Sequence, residues 1–221
     1  MDLSELIDDF RNYTGDLTAP YLWPDDRITF LLGEGEREAC IRGRLLFDKS
    51  TAAICSVDIT SGNASYAVDP RLLEITRATL SPVGGGDDIT LERISRNELD
   101  LAYPDWRTST ELPFALVHDD TTVEIIPEPT IDYTLNFETY RLPLADIGDG
   151  SDDPEISTVH HKYIVKWAMH RAYLKNDSDA FASDLSLRYE KEFEDYYWLP
   201  LRSDTRKREQ RDKFKHEDLF V

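Results

Sequence analysis

Thr51-Ala52-Ala53-Ile54-Cys55-Ser56-Val57-Asp58-Ile59 is the stretch at which the hydrophobic rhythm of this chain changes. Ala53, Cys55, Val57 and Ile59 alternate with smaller or polar residues, the period of a strand with one buried face. Upstream the rhythm is helical. Leu3, Leu6, Ile7, Phe10 and Tyr13 form one apolar stripe, with Asp2 placed to cap it and Gly15 to stop it, so a helix is expected over about 3–14. Pro20 to Pro24 reads as extended chain, and Pro24-Asp25-Asp26 suits a first helical turn. A longer helix is expected over about 25–48, with Ile28, Leu31, Leu32, Ala39, Leu45 and Leu46 on its apolar face. Gly33 and Gly35 weaken that helix by about 1 kcal/mol each relative to Ala, and they leave room for a closely packed neighbour.

Downstream, strand-like runs recur: 65–68, 72–80, 89–94, 114–118, 121–126 and 131–140. Gly62-Asn63, Gly84-Gly85-Gly86-Asp87-Asp88, Asp119-Asp120 and the Pro127/Pro129 pair separate them, and Asn97 to Tyr103 reads as one or two helical turns. Residues 51–145 are therefore expected to form a mainly antiparallel sheet or small sandwich. After the acidic loop Gly148 to Pro154 the helical period returns. Ile156, Val159, Tyr163, Ile164, Trp167 and Ala168 mark a helix to about Leu174, and Leu185, Tyr189, Phe193 and Tyr196 mark another, ending near 198–200.

The expected fold class is α+β: N- and C-terminal helices packed as a bundle, a central antiparallel β-sheet or sandwich insertion, and an extended C-terminal tail. The corresponding units are 1–50 with 146–200 (helical), 51–145 (β) and 201–221 (tail).

The 221 residues carry a formal net charge of −19. Binding phosphates broadly needs a basic face, so general nucleic-acid or acidic-membrane binding is not expected. With 40% hydrophobic and 11% aromatic residues the chain can build a core. No signal peptide or membrane span is expected, since the first residues are acidic and no run of about 18 apolar residues occurs. Cys40 and Cys55 read as buried free thiols, which fits a reducing cytosol.

Little of the chain resembles catalytic machinery. His160 and His161 point about 100° apart on a helix and do not chelate together easily, and no His-Glu-x-x-His occurs. Gly84-Gly85-Gly86 lacks the lysine and hydroxyl of a phosphate loop. The Asp149 to Glu155 carboxylates lack the spacing of an EF-hand. No catalytic residue, metal site or cofactor is expected.

Two features stand out instead. Aromatics gather around Tyr21-Trp23 and Tyr196-Tyr197-Trp198. They read either as a core shared by the terminal helices or as an inter-subunit surface, where aromatics are enriched. Trp23, Trp167, Tyr197 and Trp198 are the interface candidates. The second feature is a basic tail with an apolar end. Arg206, Arg208, Arg211 and Lys213 could meet an acidic partner, with Phe214, Leu219, Phe220 and Val221 as anchors.

Several segments, taken in order, are similar to the head–tail adaptor (head-completion, connector) proteins of tailed bacteriophages. They are Tyr21-Leu22-Trp23-Pro24-Asp25-Asp26, then Gly35-Glu36-Arg37-Glu38-Ala39-Cys40-Ile41-Arg42-Gly43-Arg44-Leu45-Leu46, and Ala67-Val68-Asp69-Pro70-Arg71. Trp167-Ala168-Met169-His170-Arg171-Ala172-Tyr173 and Tyr189-Glu190-Lys191-Glu192-Phe193 complete the series, which covers about residues 1–198. The resemblance implies a virion structural protein of the neck, made in the host cytoplasm. Such a protein assembles as a ring, usually of twelve copies, under the portal protein. The ring extends the DNA channel, through which genomic DNA passes without sequence-specific binding, and offers a platform to tail or nozzle proteins. By position, the tail after Arg202 corresponds to the family segment set against the portal. No enzyme, cofactor or membrane is implied. Three rival readings stay open: another neck or tail-tube component such as a stopper, a metal-dependent hydrolase using His160, His170 and loop carboxylates, and an acidic DNA-mimic regulatory module.

Overall fold

The computed structural model describes residues 1–109, 111–148, 150–175 and 181–197. Those residues form a mixed α/β structure with six helices and one curled, mixed sheet. They divide into two compact units: Phe47–Leu142, and the segments that flank it on either side.

In the flanking unit, α1 (Leu3–Thr14) begins with a capping box. The Asp2 side chain accepts the Glu5 N–H at 2.9 Å and Glu5 accepts the Asp2 N–H at 3.2 Å, which satisfies two otherwise orphaned donors. Gly15 ends the helix at φ 74°, a left-handed conformation that costs glycine little. Helix α2 (Asp25–Gly43) is shorter than its sequence pattern implies. Arg44 turns left-handed, at φ 48°, and its N–H closes on the Cys40 carbonyl. Leu45 and Leu46 therefore leave the helix, and β1 (Leu46–Asp48) follows.

The C-terminal half adds a 3-10 turn (Thr158–His160), α5 (His161–Tyr173) and α6 (residues 183–197). The buried face of α5 is Ile164, Val165, Ala168, Met169, Ala172 and Tyr173, while Val159 is 66% exposed on the preceding turn. On α6 the buried face is Ser186, Tyr189, Phe193 and Tyr197. Tyr189 and Phe193 are buried as expected, but at the two ends of the stripe Ser186 and Tyr197 are buried in place of Leu185, which is 36% exposed, and Tyr196, which is half-buried.

Gly35 explains how α2 and α5 come together. A Cβ there would lie 2.8 Å from the Ile164 carbonyl oxygen, so only glycine permits the approach. Gly33 has nothing within 4 Å of that position and serves no such purpose.

The Phe47–Leu142 unit opens with a departure from sequence expectation. Ala52–Cys55 is a single helical turn, α3, and not the start of a strand. Asp48 causes this. Its carboxylate accepts the N–H groups of Ser50 (2.9 Å) and Thr51 (3.1 Å) and the Thr51 hydroxyl (2.6 Å), which bends the chain directly after β1. Strand β2 (Ser56–Ile59) begins only after that turn. It is followed by β3 (Ser65–Ala67), β4 (Leu72–Pro82), β5 (Ile89–Arg93), α4 (Arg96–Ala102), β6 (Ala115–His118), β7 (Thr122–Ile126) and β8 (Tyr133–Arg141).

The strand order is β1-β8-β4-β5-β6-β7-β3, and β2 also pairs with β8. Pairing is antiparallel in five of the recorded ladders, but β5 and β6 run parallel. The sheet is thus mixed rather than antiparallel throughout, because α4 and the turns after it return the chain to the starting end.

Burial follows from the topology. Strand β8 alternates cleanly, with Tyr133, Leu135, Phe137, Thr139 and Arg141 inward. Strand β4 does not, because register shifts near Glu74 and Arg77 interrupt its pairing with β8. Strand β6 is buried on both faces: Leu116 joins the main core, and Ala115 and Val117 join a smaller cluster with Leu99 and Ile126. That double burial accounts for its unbroken apolar run.

The two chain crossings into and out of this unit sit on paired strands, β1 and β8. At that point Arg141 donates to Asp48 at 2.5 Å, with both side chains buried.

Candidate assembly surface

The aromatics singled out in the sequence take different positions. Trp23 is 4% exposed, held edge-on between Phe10 and Tyr173, each with ring centroids 5.6 Å away. Tyr197 is 1% exposed and packs on Phe193 at 4.5 Å. Both fill the interior of their own unit. Trp167 is half-buried: Phe193 lies 5.0 Å from its ring, His170 5.2 Å, and the Arg42 guanidinium 5.2 Å. Beside it, Tyr163 and Tyr196 stack with an interplanar angle of 8°, and the Tyr196 hydroxyl is 3.1 Å from His160 Nδ1. Trp167, Tyr163 and Tyr196 therefore make a partly open aromatic seam along α5 and α6, braced by Arg42, which also binds Glu38 at 2.6 Å and Glu194 at 2.8 Å.

Trp198 lies outside the described residues. So do Arg206, Arg208, Arg211, Lys213, Phe214, Leu219, Phe220 and Val221.

The histidines do not converge. His160 contacts Tyr196, and His161 places Nε2 3.0 Å from the Ile156 carbonyl. His170 is buried, with Nδ1 3.1 Å from the Ser186 carbonyl and 3.0 Å from the Ser186 hydroxyl. Glu190 lies 4.0 Å from the other nitrogen, which gives the outline of a Ser-His-Glu triad. The hydrogen bonds argue against that chemistry. The Ser186 hydroxyl donates to the His170 carbonyl at 3.1 Å. Nδ1 faces a carbonyl oxygen, so it carries the proton and donates, and it is not a base for the serine. Ser186 is also fully buried.

The carboxylates of the loop before α5 are engaged locally. Asp152 accepts the Gly148 N–H at 3.1 Å, Glu155 accepts the Leu144 N–H at 2.8 Å, and Asp146 pairs with Arg37. Among the described residues no group of three or more His, Cys, Asp or Glu side chains is arranged to hold a metal ion.

Two charged residues that sequence reading passed over organise this unit from inside. Arg11 is 7% exposed. It binds Asp16 at 2.9 Å, the Trp23 carbonyl at 3.0 Å, and Asp25, and it lies 3.6 Å over the Tyr21 ring. Glu36 is 2% exposed and accepts the Ile156 N–H at 3.3 Å, tying α2 to the approach to α5. Burial pushes the Glu36 carboxyl above its ordinary range. The N–H groups of Ile156 and Glu155 pull it down, and the neighbouring Glu155 and Asp146 charges push it up. Arg11 sits one helical step past Phe10 and Glu36 one step past Gly35, so hydrophobic period alone gives no warning that either is interior.

In the Phe47–Leu142 unit, a depression of about 230 Å³ is bounded by Trp106, Arg107, Glu124, Pro127 and Glu128. Arg107 is held by Asp100 at 2.7 Å and lies 4.3 Å over the Trp106 ring. Polar and exposed, the depression has the character of a contact surface more than of a closed catalytic pocket. No helix among the described residues is long and apolar enough to cross a membrane.

Among the described residues the histidines and loop carboxylates are engaged in local contacts, and the partly open surface is aromatic. No curated protein matches the sequence. The sequence model of the SU10 adaptor protein family matches residues 1–212, which takes in both units and Arg206, Arg208 and Arg211 of the tail, and the chain belongs to that family.

Proposed function

We propose that this protein is a virion structural component of a tailed bacteriophage, a head–tail adaptor. It assembles as a ring of twelve copies beneath the portal protein, extends the DNA channel and gives tail or nozzle proteins their platform. The observation that carries the reading is the adaptor-family match along residues 1–212. Genomic DNA passes through the channel without sequence-specific contact, and the net charge of −19 supports this, because acidic walls repel phosphates.

In this reading the helical segments 1–50 and 146–200 pack as a bundle and form the ring wall. Residues 51–145 form the β domain. The tail, 201–221, extends to the portal through Arg206, Arg208, Arg211 and Lys213, with Phe214, Leu219, Phe220 and Val221 as apolar anchors. Trp167 opens onto a subunit contact, while Trp23 and Tyr197 stiffen the wall behind it, and Trp198 begins the link to the tail. The protein acts by assembly rather than catalysis.

The test is the mass of the protein alone and mixed with the portal of the same virus, by light scattering with negative-stain imaging. Portal-dependent rings are expected. A persistent monomer without portal binding refutes the reading. Deleting residues 202–221 should leave the fold intact and abolish portal binding, and unchanged binding removes the tail as the anchor.

A further inference from the structure

Two helices of the flanking unit present outward faces of opposite character. On α2 the exposed face carries Phe30 and Ile41, each 51% exposed, about 16 Å apart along the axis at the helical rise. Arg27 and Arg44 are exposed at its two ends, and Arg27 lies 5.1 Å over the Phe30 ring. Two of the carboxylates on this side are already engaged, Glu34 by Arg171 at 3.5 Å and Glu38 by Arg42 at 2.6 Å, and Asp26 is exposed beside Arg27 at the N-terminal end. Arg37 binds Asp146 here as well. In a chain of net charge −19, this is an apolar face framed by arginines.

On α1 the exposed residues are Ser4, Glu5, Asp8, Asn12 and, in the last turn, Tyr13, with Asp9 half-buried. Its one arginine, Arg11, turns inward to Asp16 and Asp25 and adds nothing to that surface. Just past the helix, Leu17 (62%), Tyr21 (46%) and Leu22 (40%) are exposed apolar side chains. Each helix buries its opposite side in the core of the same unit, α1 through Leu6 and Phe10, α2 through Ile28, Leu31 and Leu32.

We infer that the α2 face of one copy receives the acidic α1 face and the Leu17–Leu22 segment of a second copy, and that this is the contact that closes the ring. The occupant is chosen by complementarity. The arginine-framed apolar face and the carboxylate-lined face with apolar side chains beyond it belong to one chain. Two different complementary patches on one chain give a head-to-tail contact, the kind from which rings are built. Apolar contacts at the centre supply the affinity, and the charges fix register and exclude wrong pairings. The inference rests on the ring assembly proposed above.

The experiment compares three full-length variants with the wild type, each mixed with the portal and imaged, after thermal melts establish folding. The first reverses the α2 face (Arg27→Glu with Arg44→Glu). The second reverses the α1 face (Asp8→Lys with Asn12→Lys). The third carries all four changes. The first two should each lower ring yield by at least about tenfold, since like charges across an interface cost several kcal/mol. The third should recover rings, because both faces are reversed together.

Wild-type rings alongside undiminished rings in the first two variants overturn this contact and leave the ring reading intact. Failure of the four-change chain to recover overturns the pairing of these two faces. A wild type that never forms rings overturns both readings. A variant that does not melt cooperatively is replaced by Phe30→Ser with Ile41→Ser, which should lose rings while keeping its fold.

Discussion

Replacing Asp48 by Asn tests how the β unit is fastened at its base. Asp48 and Arg141 are buried together at 2.5 Å, and the same carboxylate accepts from Ser50 and Thr51. Burial alone raises the Asp48 carboxyl, but the Thr51 hydroxyl, the Ser50 N–H, the Arg141 guanidinium and the Thr51 N–H outweigh it and hold the group far below the usual carboxylate range. Asn keeps the shape and part of the acceptor set, but it loses the charge and can turn an NH2 toward the guanidinium. Breaking one side of a buried pair costs about 3–5 kcal/mol, chiefly from the partner charge left uncompensated. At an m-value of about 2 kcal/mol/M, that lowers the urea midpoint of the transition by about 2 M. The assay is urea unfolding at pH 7 followed by circular dichroism, with Asp48→Asn plus Arg141→Met as the comparison that removes both charges and keeps an acceptor for Ser50 and Thr51. That double change should cost less than Asp48→Asn alone. A loss below about 1 kcal/mol for Asp48→Asn would mean that Arg141 is well solvated without its partner, and the account of the clamp would be wrong. The sign of the pH dependence follows from the depressed folded-state pKa. The stabilisation is fully present above the unfolded value, about 3.9, and fades as pH falls below it toward the folded value. The gap between wild type and Asp48→Asn should stay constant from pH 7 down to about 4 and close only in stronger acid.

Other substitutions probe the helical unit. Gly35→Ala forces a Cβ to within 2.8 Å of the Ile164 carbonyl and should destabilise by about 1–3 kcal/mol. Gly33→Ala meets nothing within 4 Å and should stabilise by up to about 1 kcal/mol; thermal melts of the two variants should move in opposite directions. Tyr197→Phe removes a buried hydroxyl that has no hydrogen-bond partner among the described residues, so its melting temperature should hold or rise. His118 and His160 are both held below the ordinary histidine range, each by burial first, then by Arg93 and His161 respectively. Their neutral forms favour the folded state, so stability should fall as pH drops from 7 through about 6, read as a lower urea midpoint; a midpoint that rises over that interval contradicts both assignments.

Much of the architecture was legible because long periodic segments and their punctuation agree. Asp2 and Gly15 bracket α1, the Gly84-to-Asp88 run separates β4 from β5, and the short run after Ser95 is helical. The misreadings share a cause: a side chain or pairing partner remote from the local pattern. Arg44 adopts a left-handed turn that no periodicity announces, so α2 was read five residues too long. Asp48 draws Ala52–Cys55 into a helical turn through hydrogen bonds, although the apolar alternation looks like a strand. At the start of α6, Ser186 takes the buried position expected of Leu185 because it is held against His170, a polar pairing that a hydrophobic count discards. On the assembly surface, the prominent aromatics were visible in the sequence but their exposure was not. Trp23 and Trp167 are the same residue type, and only the packed structure separates the covered ring from the open one. Arg11 and Glu36 were missed because charged residues are expected outside unless paired, and their partners are distant in sequence or lie in irregular chain.

The pairing of β1 with β8 also bears on the order in which the chain acquires its structure. Helix α2 must find α5 across an intervening segment of roughly one hundred residues, and closing a loop of that length costs about 4 kcal/mol in chain entropy beyond the constant part. Once residues 47–142 have folded, β1 and β8 hold the two ends of that segment side by side, and the long search becomes a short one. During synthesis the β unit is complete before α5 has been made, while α1 and α2 wait with half a core exposed. The unit made of the two chain ends is therefore the last to form, and its folding rate is governed by the strands that close the loop rather than by its own helices.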